Sequence, residues 1–305
     1  MGPSLDWLSH LLDLVPVRGQ LELRCLYGAP WQVAYEESPK GEMPYHVILS
    51  GNALLEGSEG DVPRRLGPGD ILLMLHGGAH RLHDGSGAEA EPAKHSPRLN
   101  LILSENGGTG PRLDMLCGRF IVTPEQERWM RTYLPSHLVV SAPEGGEVAA
   151  LVSLMRSETA SDTLGGHAIL NALSTAMFAL TLRLASKTRQ PTQGLLAVAG
   201  HPRLAPALTA MFDDPARPWT LPELAEVCNM SRATLARRFQ GALGRSATDL
   251  LTDIRMTLAA RKLEDPSLST GAVAEDVGYQ SEAAFQRAFK LRMGVTPAAW
   301  RRRDR

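Results

Sequence analysis

Ser231-Arg-Ala-Thr-Leu235-Ala-Arg237-Arg-Phe239-Gln-Gly-Ala-Leu243-Gly244 returns, fifty residues later, as Ser281-Glu-Ala-Ala-Phe285-Gln-Arg287-Ala-Phe289-Lys-Leu-Arg-Met293-Gly294. The shared positions are a serine, three apolar residues at i+4, i+8 and i+12, an arginine between the first two, and a closing glycine. Upstream, Leu224-Ala225-Glu226 returns as Val273-Ala274-Glu275, and downstream Ser246-Ala247 answers to Thr296-Pro297. A repeat of this length is one supersecondary unit used twice.

Each copy reads as helix, tight turn, helix. Leu221, Leu224, Ala225 and Cys228 have the i, i+3, i+4, i+7 spacing of one helical face. Asn229-Met230 supplies the turn, Ser231 caps the next helix, and Gly244 ends it. In the second copy Val273, Ala274 and Val277 face inward, Gly278-Tyr279-Gln280 turn the chain, and Ser281 caps a helix stopped by Gly294. A helix over about 246–264, apolar at Leu250, Leu251, Ile254, Leu258 and Leu263, joins the two. Cys228, on a core face, reads as a small buried hydrophobe.

With Leu235 and Phe239 inside, Arg232, Ala233, Thr234, Ala236, Arg237 and Arg238 face outward. A helix entering the major groove reads base edges with its N-terminal half and holds phosphates with its cationic flanks. Arg237 and Arg287 are the leading base readers, each able to pair bidentately with guanine. Glu282, Ala283 and Gln286 are the other readers of the second copy. Arg232, Arg238 and Lys290 are assigned to phosphates.

These residues resemble the AraC family of bacterial transcription regulators. The match runs through Thr220-Leu-x-x-Leu-Ala-x-x-x-x-Met-Ser-Arg to Arg237-x-Phe239, then Ala274-x-x-x-Gly278-Tyr279-x-Ser281 to Phe285-x-Arg287-x-Phe289 and Gly294-x-Thr296-Pro297. The resemblance implies seven helices over 201–305, two recognition helices in successive major grooves about 34 Å apart, and an N-terminal region that senses a signal and dimerises. Double-stranded promoter DNA, a second copy of the chain and RNA polymerase are the expected partners.

The rest of the 305 residues fits a second domain. Net charge is −1, yet residues 201–305 hold 16 Lys and Arg against 12 Asp and Glu, leaving the acidic excess upstream. A basic end on an acidic body points the end at a polyanion. Residues 1–140 read as β-rich, with strands at 32–35, 46–49, 53–56, 71–75 and 99–103. Turns fall at 50–52, 57–60 and 67–69, and loops at 88–97 and 106–111. Residues 141–186 read as helices over 147–158 and 162–186. Leu170, Leu173, Met177, Leu180 and Leu184 form a coiled-coil-like seam that suits either a core helix or a dimer helix. Residues 187–200 read as a linker. The expected class is therefore α+β: a cupin-like β-barrel, a helical dimerisation segment, and an all-α double helix-turn-helix domain. No run of eighteen apolar residues marks a membrane span and no signal peptide is evident, so a cytoplasmic protein is expected.

The barrel resemblance rests on Tyr45-His46-Val-Ile-Leu-x-Gly51 and Gly69-Asp70-Ile-Leu-Leu-Met-Leu75-His76-Gly77-Gly78-Ala79-His80, similar to the two cupin motifs. Metal-binding cupins carry HxH and a glutamate in the first motif and one histidine in the second. Here only His46 and His80 match, and Ile48 stands at the second HxH position. A cupin metalloenzyme with an appended DNA-binding module is thus the weaker functional class. Three readings of the barrel stay open. Cys25, His46, His80 and Cys117 would suit zinc or another soft divalent metal. Cys25 and Cys117 would serve as redox-active thiols, as in regulators of this type that sense oxidants or electrophiles. Trp31, Tyr45 and His80 would line a small-molecule site. His76 and His83 read as surface or loop-lining histidines. Three cysteines without CxxC spacing give no disulfide framework.

Overall fold

The computed structural model describes residues 5–57, 63–187 and 193–303. The turn expected at 57–60 lies mostly outside them. The chain divides into two units: Val17–Lys187, and a second formed by the residues before and after it.

The first unit is built on two sheets. The larger runs β11 (Leu138–Ser141), β6 (Asp70–Leu73), β3 (Glu42–Ser50), β10 (Arg112–Ile121), β1 (Arg18–Gly28), β9 (Ile102–Glu105), β8 (Lys94–Pro97). The smaller runs β2 (Gln32–Tyr35), β7 (His80–His83), β4 (Ala53–Glu56), β5 (Arg64–Leu66). Along β3 the pleat alternates: Ile48 joins the barrel core with Trp31, Leu72, Leu82 and Met115, while Tyr45 turns to the sheet's other face.

That other face is covered by α4 (Gly166–Lys187), which forms a hairpin with α3 (Glu147–Thr159). Gly19 of β1 has no side chain because a Cβ there would stand 2.5 Å from the Thr175 nitrogen. The Gly19 and Leu21 amides donate to Thr175 Oγ1 and Asn171 Oδ1 at 2.9 and 3.1 Å. Of the expected seam, Leu170 and Met177 are buried, whereas Leu173, Leu180 and Leu184 are half-exposed. The buried stripe instead includes Ser174 and Thr181, whose hydroxyls bond to the Leu170 and Met177 carbonyls, so polar residues occupy core positions at no hydrogen-bond cost. Ala168, Ile169, Ala172 and Ala176 face outward. By length and composition α4 is the one described helix apolar enough to cross a membrane, yet it packs along the sheet with less than half of its apolar stretch buried.

Two sequence expectations change. Lys94–Pro97, read as loop, is an exposed strand pairing with β9. Residues Pro124–Tyr133 form α2 inside the region read as strands, opened by a Thr123/Gln126 capping box with Pro124 in the first turn.

The second unit is helical. Seven helices follow the expected pattern: α6 (Ala205–Asp213), α7 (Leu221–Val227), α8 (Arg232–Leu243), α9 (Ala247–Leu263), α10 (Thr270–Asp276), α11 (Glu282–Met293) and α12 (Pro297–Trp300). The linker expected over 187–200 is shortened by α5 (Leu195–Ala199), whose Leu195, Leu196 and Val198 are buried and which packs on α8. The opening helix, α1 (Trp7–Leu14), also belongs here rather than to the barrel. Leu8, Leu11 and Leu14 bury one face against α6 and α9, and His10 lies 3.1 Å from Asp213 and stacks on Phe212. Its i, i+3, i+6 leucines fit a core helix, but nothing in their spacing says which core.

Candidate DNA interface and thiol site

The two recognition helices are built alike. Ser231 Oγ accepts from the Thr234 amide and Ser281 Oγ from the Ala284 amide; both helices run twelve residues and end on a left-handed glycine. Leu235, Phe239 and Leu243 anchor α8, while Phe285 and Phe289 anchor α11 against Trp300. This leaves Arg232, Ala233, Arg237, Arg238, Glu282, Ala283, Gln286, Arg287 and Lys290 exposed, with Thr234 half-buried behind Ser231. All ten nominated residues therefore lie on outward faces.

Their freedom differs. Arg238 sits 2.6 Å from His201 Nε2, so its guanidinium is held back toward the helix bundle rather than free for phosphate. Gln286 donates to Glu282 at 2.8 Å, and reading a base with either means exchanging that bond. Arg237 and Arg287 carry no such internal engagement among the described residues.

The helices are held in register by residues that the repeat did not reveal. Arg292 of α11 reaches Asp249 and Asp253 of α9 at 2.5 and 3.3 Å. Arg255 of α9 donates to the Pro215 and Arg217 carbonyls at 2.6 and 2.7 Å and lies over Tyr279. Gly278, at φ +83°, lets the second turn approach Ala216, where a Cβ would stand 2.1 Å from the carbonyl oxygen.

In the barrel, Cys25, Cys117, His46 and His80 do come together, as a line. Cys25 Sγ is 3.8 Å from Cys117 Sγ, Cys117 Sγ is 3.2 Å from His46 Nδ1, and His46 Nε2 is 2.9 Å from His80 Nε2. Cys117 and His46 are directly opposed across β10 and β3; Cys25, opposite Met115, is diagonal to Cys117. His80 Nδ1 lies 3.0 Å from the Gly78 carbonyl. A carbonyl can only accept, so His80 carries its hydrogen on Nδ1 and receives one from His46 Nε2. His46 Nδ1 is then left as an acceptor for the Cys117 thiol.

A zinc tetrahedron needs four donors turned to one point. His46 instead presents opposite nitrogens to Cys117 and His80, and no three His, Cys, Asp or Glu side chains among the described residues converge on a metal position. The expected Cys2His2 centre does not fit this arrangement. Ile48, at the missing HxH position, is fully buried in the apolar core.

Burial pushes the His46 imidazole well below its ordinary value, with His80 adding to the effect, and burial lowers His80 as well. Of the coupled thiols Cys25 is drawn down, chiefly by its hydrogen bond with Cys117. The same bond and burial push Cys117 up. Cys117 is thus held as a neutral thiol, with His46 Nδ1 placed to accept its hydrogen bond.

The small-molecule constellation is separated by the pleat. Tyr45 bonds to Ser174 of α4 and packs on Phe120, away from His46. Trp31 is buried in the core beside Tyr27. The aromatic residue that does reach the line is Tyr35, stacked on His80 at 4.7 Å with its hydroxyl 3.7 Å from Cys117. No sequence motif marked it; only the β2–β7 register, Tyr35 opposite His80, brings it there.

A cupin family model matches residues 6–186 and a helix-turn-helix domain model matches residues 224–303. An HTH-type transcriptional regulator of Haemophilus influenzae, itself uncharacterised, is 31% identical over 299 residues, covering 98% of this chain and 99% of that protein. The chain belongs to the cupin-bearing, AraC-type transcription regulators. The RCS-specific activator RclR of Escherichia coli is 27% identical over 305 residues, covering 99% of each. The solved DNA-binding domain of AdpA with a target DNA is similar at 30% identity, over 32% of this chain and 89% of that one, with a TM-score of 0.31. This regulator therefore binds double-stranded DNA through its C-terminal domain.

Proposed function

We propose that this regulator acts in the cytoplasm as a dimer, and that oxidation of Cys25 and Cys117 switches its control of promoter DNA and RNA polymerase. It turns over no substrate. The observation that carries the reading is a buried pair of sulfurs 3.8 Å apart with a histidine nitrogen 3.2 Å from one of them. That RclR is named as RCS-specific adds support.

The chemistry balances with a two-electron oxidant of the peroxide or hypohalous acid class. Cys117, its S–H hydrogen bonded to His46 Nδ1, takes up oxygen as a sulfenic acid, and its proton goes to the departing part of the oxidant, which leaves as water or hydrogen halide. Cys25, the more acidic thiol, displaces hydroxide from Cys117 Sγ, and a second proton makes it water. The product is a disulfide, about 2.05 Å between sulfurs, and part of the closure from 3.8 Å is taken up as a small shear of β1 along β10.

β1 gives the shift a direction. The strand bearing Cys25 is tied to α4 through the Gly19 and Leu21 amides. The outer face of α4, with Ala168, Ile169, Ala172 and Ala176, and the exposed Leu154 and Leu164 beside it, is the proposed dimer surface. An apolar face of this kind gains on the order of 25 cal/mol per Å² on burial. Transcription from a responsive promoter in vitro, with reduced and oxidised protein, tests the proposal. An oxidant response absent from Cys25→Ser and Cys117→Ser supports it, and a response retained in both rejects it.

A further inference from the structure

A cleft of about 460 Å³ opens beside the thiol line, and Tyr35, His46 and Cys117 are among its lining residues. Glu22, Glu36, Glu37 and Glu42 also line it, with Arg119 as the one lining cation among the described residues. Four carboxylates against one guanidinium leave a charge of −3. Arg119 is already engaged, by Glu22 at 2.7 Å and Glu42 at 2.5 Å. Glu36 and Glu37 are exposed and continue β2 directly from Tyr35. Cys25 does not line the cleft, so Cys117 is the sulfur that an arriving molecule meets.

We infer that this cleft is the entrance to the thiol pair, and that its carboxylates select uncharged or cationic thiol-reactive molecules over anionic ones. The inference rests on the thiol reading above and names the reactant class of the same site. A concave surface of one sign focuses its field and changes the local concentration of a charged visitor by ten- to a thousandfold. An anion such as hypochlorite or a glutathione-bearing disulfide is repelled before it reaches Cys117. Hypochlorous acid, hydrogen peroxide and protonated chloramines are not. Half-buried Tyr35 and buried His46, both neutral, offer an anion no compensating charge.

The test uses the full-length chain with Cys25→Ser and Cys228→Ala, leaving Cys117 as its single thiol. Three methanethiosulfonates of similar size are compared, ending in an ammonium, a methyl or a sulfonate. In each the Cys117 thiolate displaces methanesulfinate and forms a mixed disulfide, followed by mass spectrometry and normalised to a free-thiol peptide. The cationic reagent is expected to outrun the sulfonate by about tenfold or more at low salt. That ratio should shrink severalfold with Glu36→Gln/Glu37→Gln, and with 1 M salt, which cuts the screening length to about 3 Å. Equal normalised rates, a ratio unmoved by the double substitution, or labelling of Cys117 only after denaturation would each overturn the inference. Failure of oxidant to join Cys25 to Cys117 in the wild type would instead remove the switch while leaving the charge selection measurable.

Discussion

Cys25 and Cys117 occupy diagonal positions on the neighbouring antiparallel strands β1 and β10, with their sulfurs 3.8 Å apart and His46 Nδ1 3.2 Å from the second. A disulfide between them closes about 1.8 Å of that gap. One equivalent of peroxide or hypochlorous acid should convert both thiols to a single intramolecular disulfide, read as a loss of 2 Da and of two titratable thiols. Cys228, buried in the other unit, should stay reduced. A stable sulfenic acid on wild-type protein, or a disulfide involving Cys228, would speak against the pairing.

His46 supplies a second prediction. Its folded pKa lies below the ordinary 6.5 because burial penalises the imidazolium, and His80 follows. At pH values between the depressed and ordinary pKa the unfolded chain binds more protons. Their contribution is therefore complete above about 6.5 and is lost as the pH falls below it. Denaturant midpoints measured from pH 8 to 5 should fall, and the His46→Gln/His80→Gln variant should show a flatter profile. Identical slopes would rule out the two histidines as the cause.

Arg237→Ala and Arg287→Ala should each relax discrimination at one position of the target by about 1–3 kcal/mol, some 5- to 150-fold. Affinity for unrelated DNA should change far less. The test is competition binding across a set of single-base variants of the target. Uniform weakening on every sequence would reassign the arginines to phosphate contacts.

Gly278 and Gly244 form a matched pair. Both have positive φ, +83° and +71°, but a Cβ meets Ala216 at Gly278 and open space at Gly244. Gly244→Ala should cost about 1–2 kcal/mol, the left-handed penalty alone. Gly278→Ala should cost more and also weaken binding to the target, because the turn before α11 must move off the 215–217 loop that Arg255 holds. Equal costs with unchanged binding would mean that this close approach does not set the helix geometry.

The helical domain was legible because its repeat writes the same cap, core and stop residues twice, and each acts within one turn of helix. The ten outward residues followed from Leu235, Phe239, Phe285 and Phe289. The engagement of Arg238 did not, since its partner His201 lies 37 positions away. Barrel pairings are longer-range still. Cys25 and Cys117 stand 92 residues apart, and only the β1–β10 register joins them. Cys25, His46, His80 and Cys117 meet in the structure, yet which nitrogen of His46 faces which neighbour is fixed by strand register and the Gly78 carbonyl. Tyr45 was misplaced for a simpler reason: it is one residue from His46, and one residue along a strand is the opposite face.

The most direct test of the account is the affinity of the full-length protein for a duplex from a promoter it controls and for a scrambled duplex of the same composition. Both are measured at one fixed salt concentration, before and after one equivalent of oxidant. The account predicts a preference for the promoter of about a thousandfold or more in one redox state, a clear change in promoter affinity on oxidation, and no such change in Cys25→Ser/Cys117→Ser. Promoter affinity that stays the same while mass spectrometry shows the disulfide fully formed would contradict it.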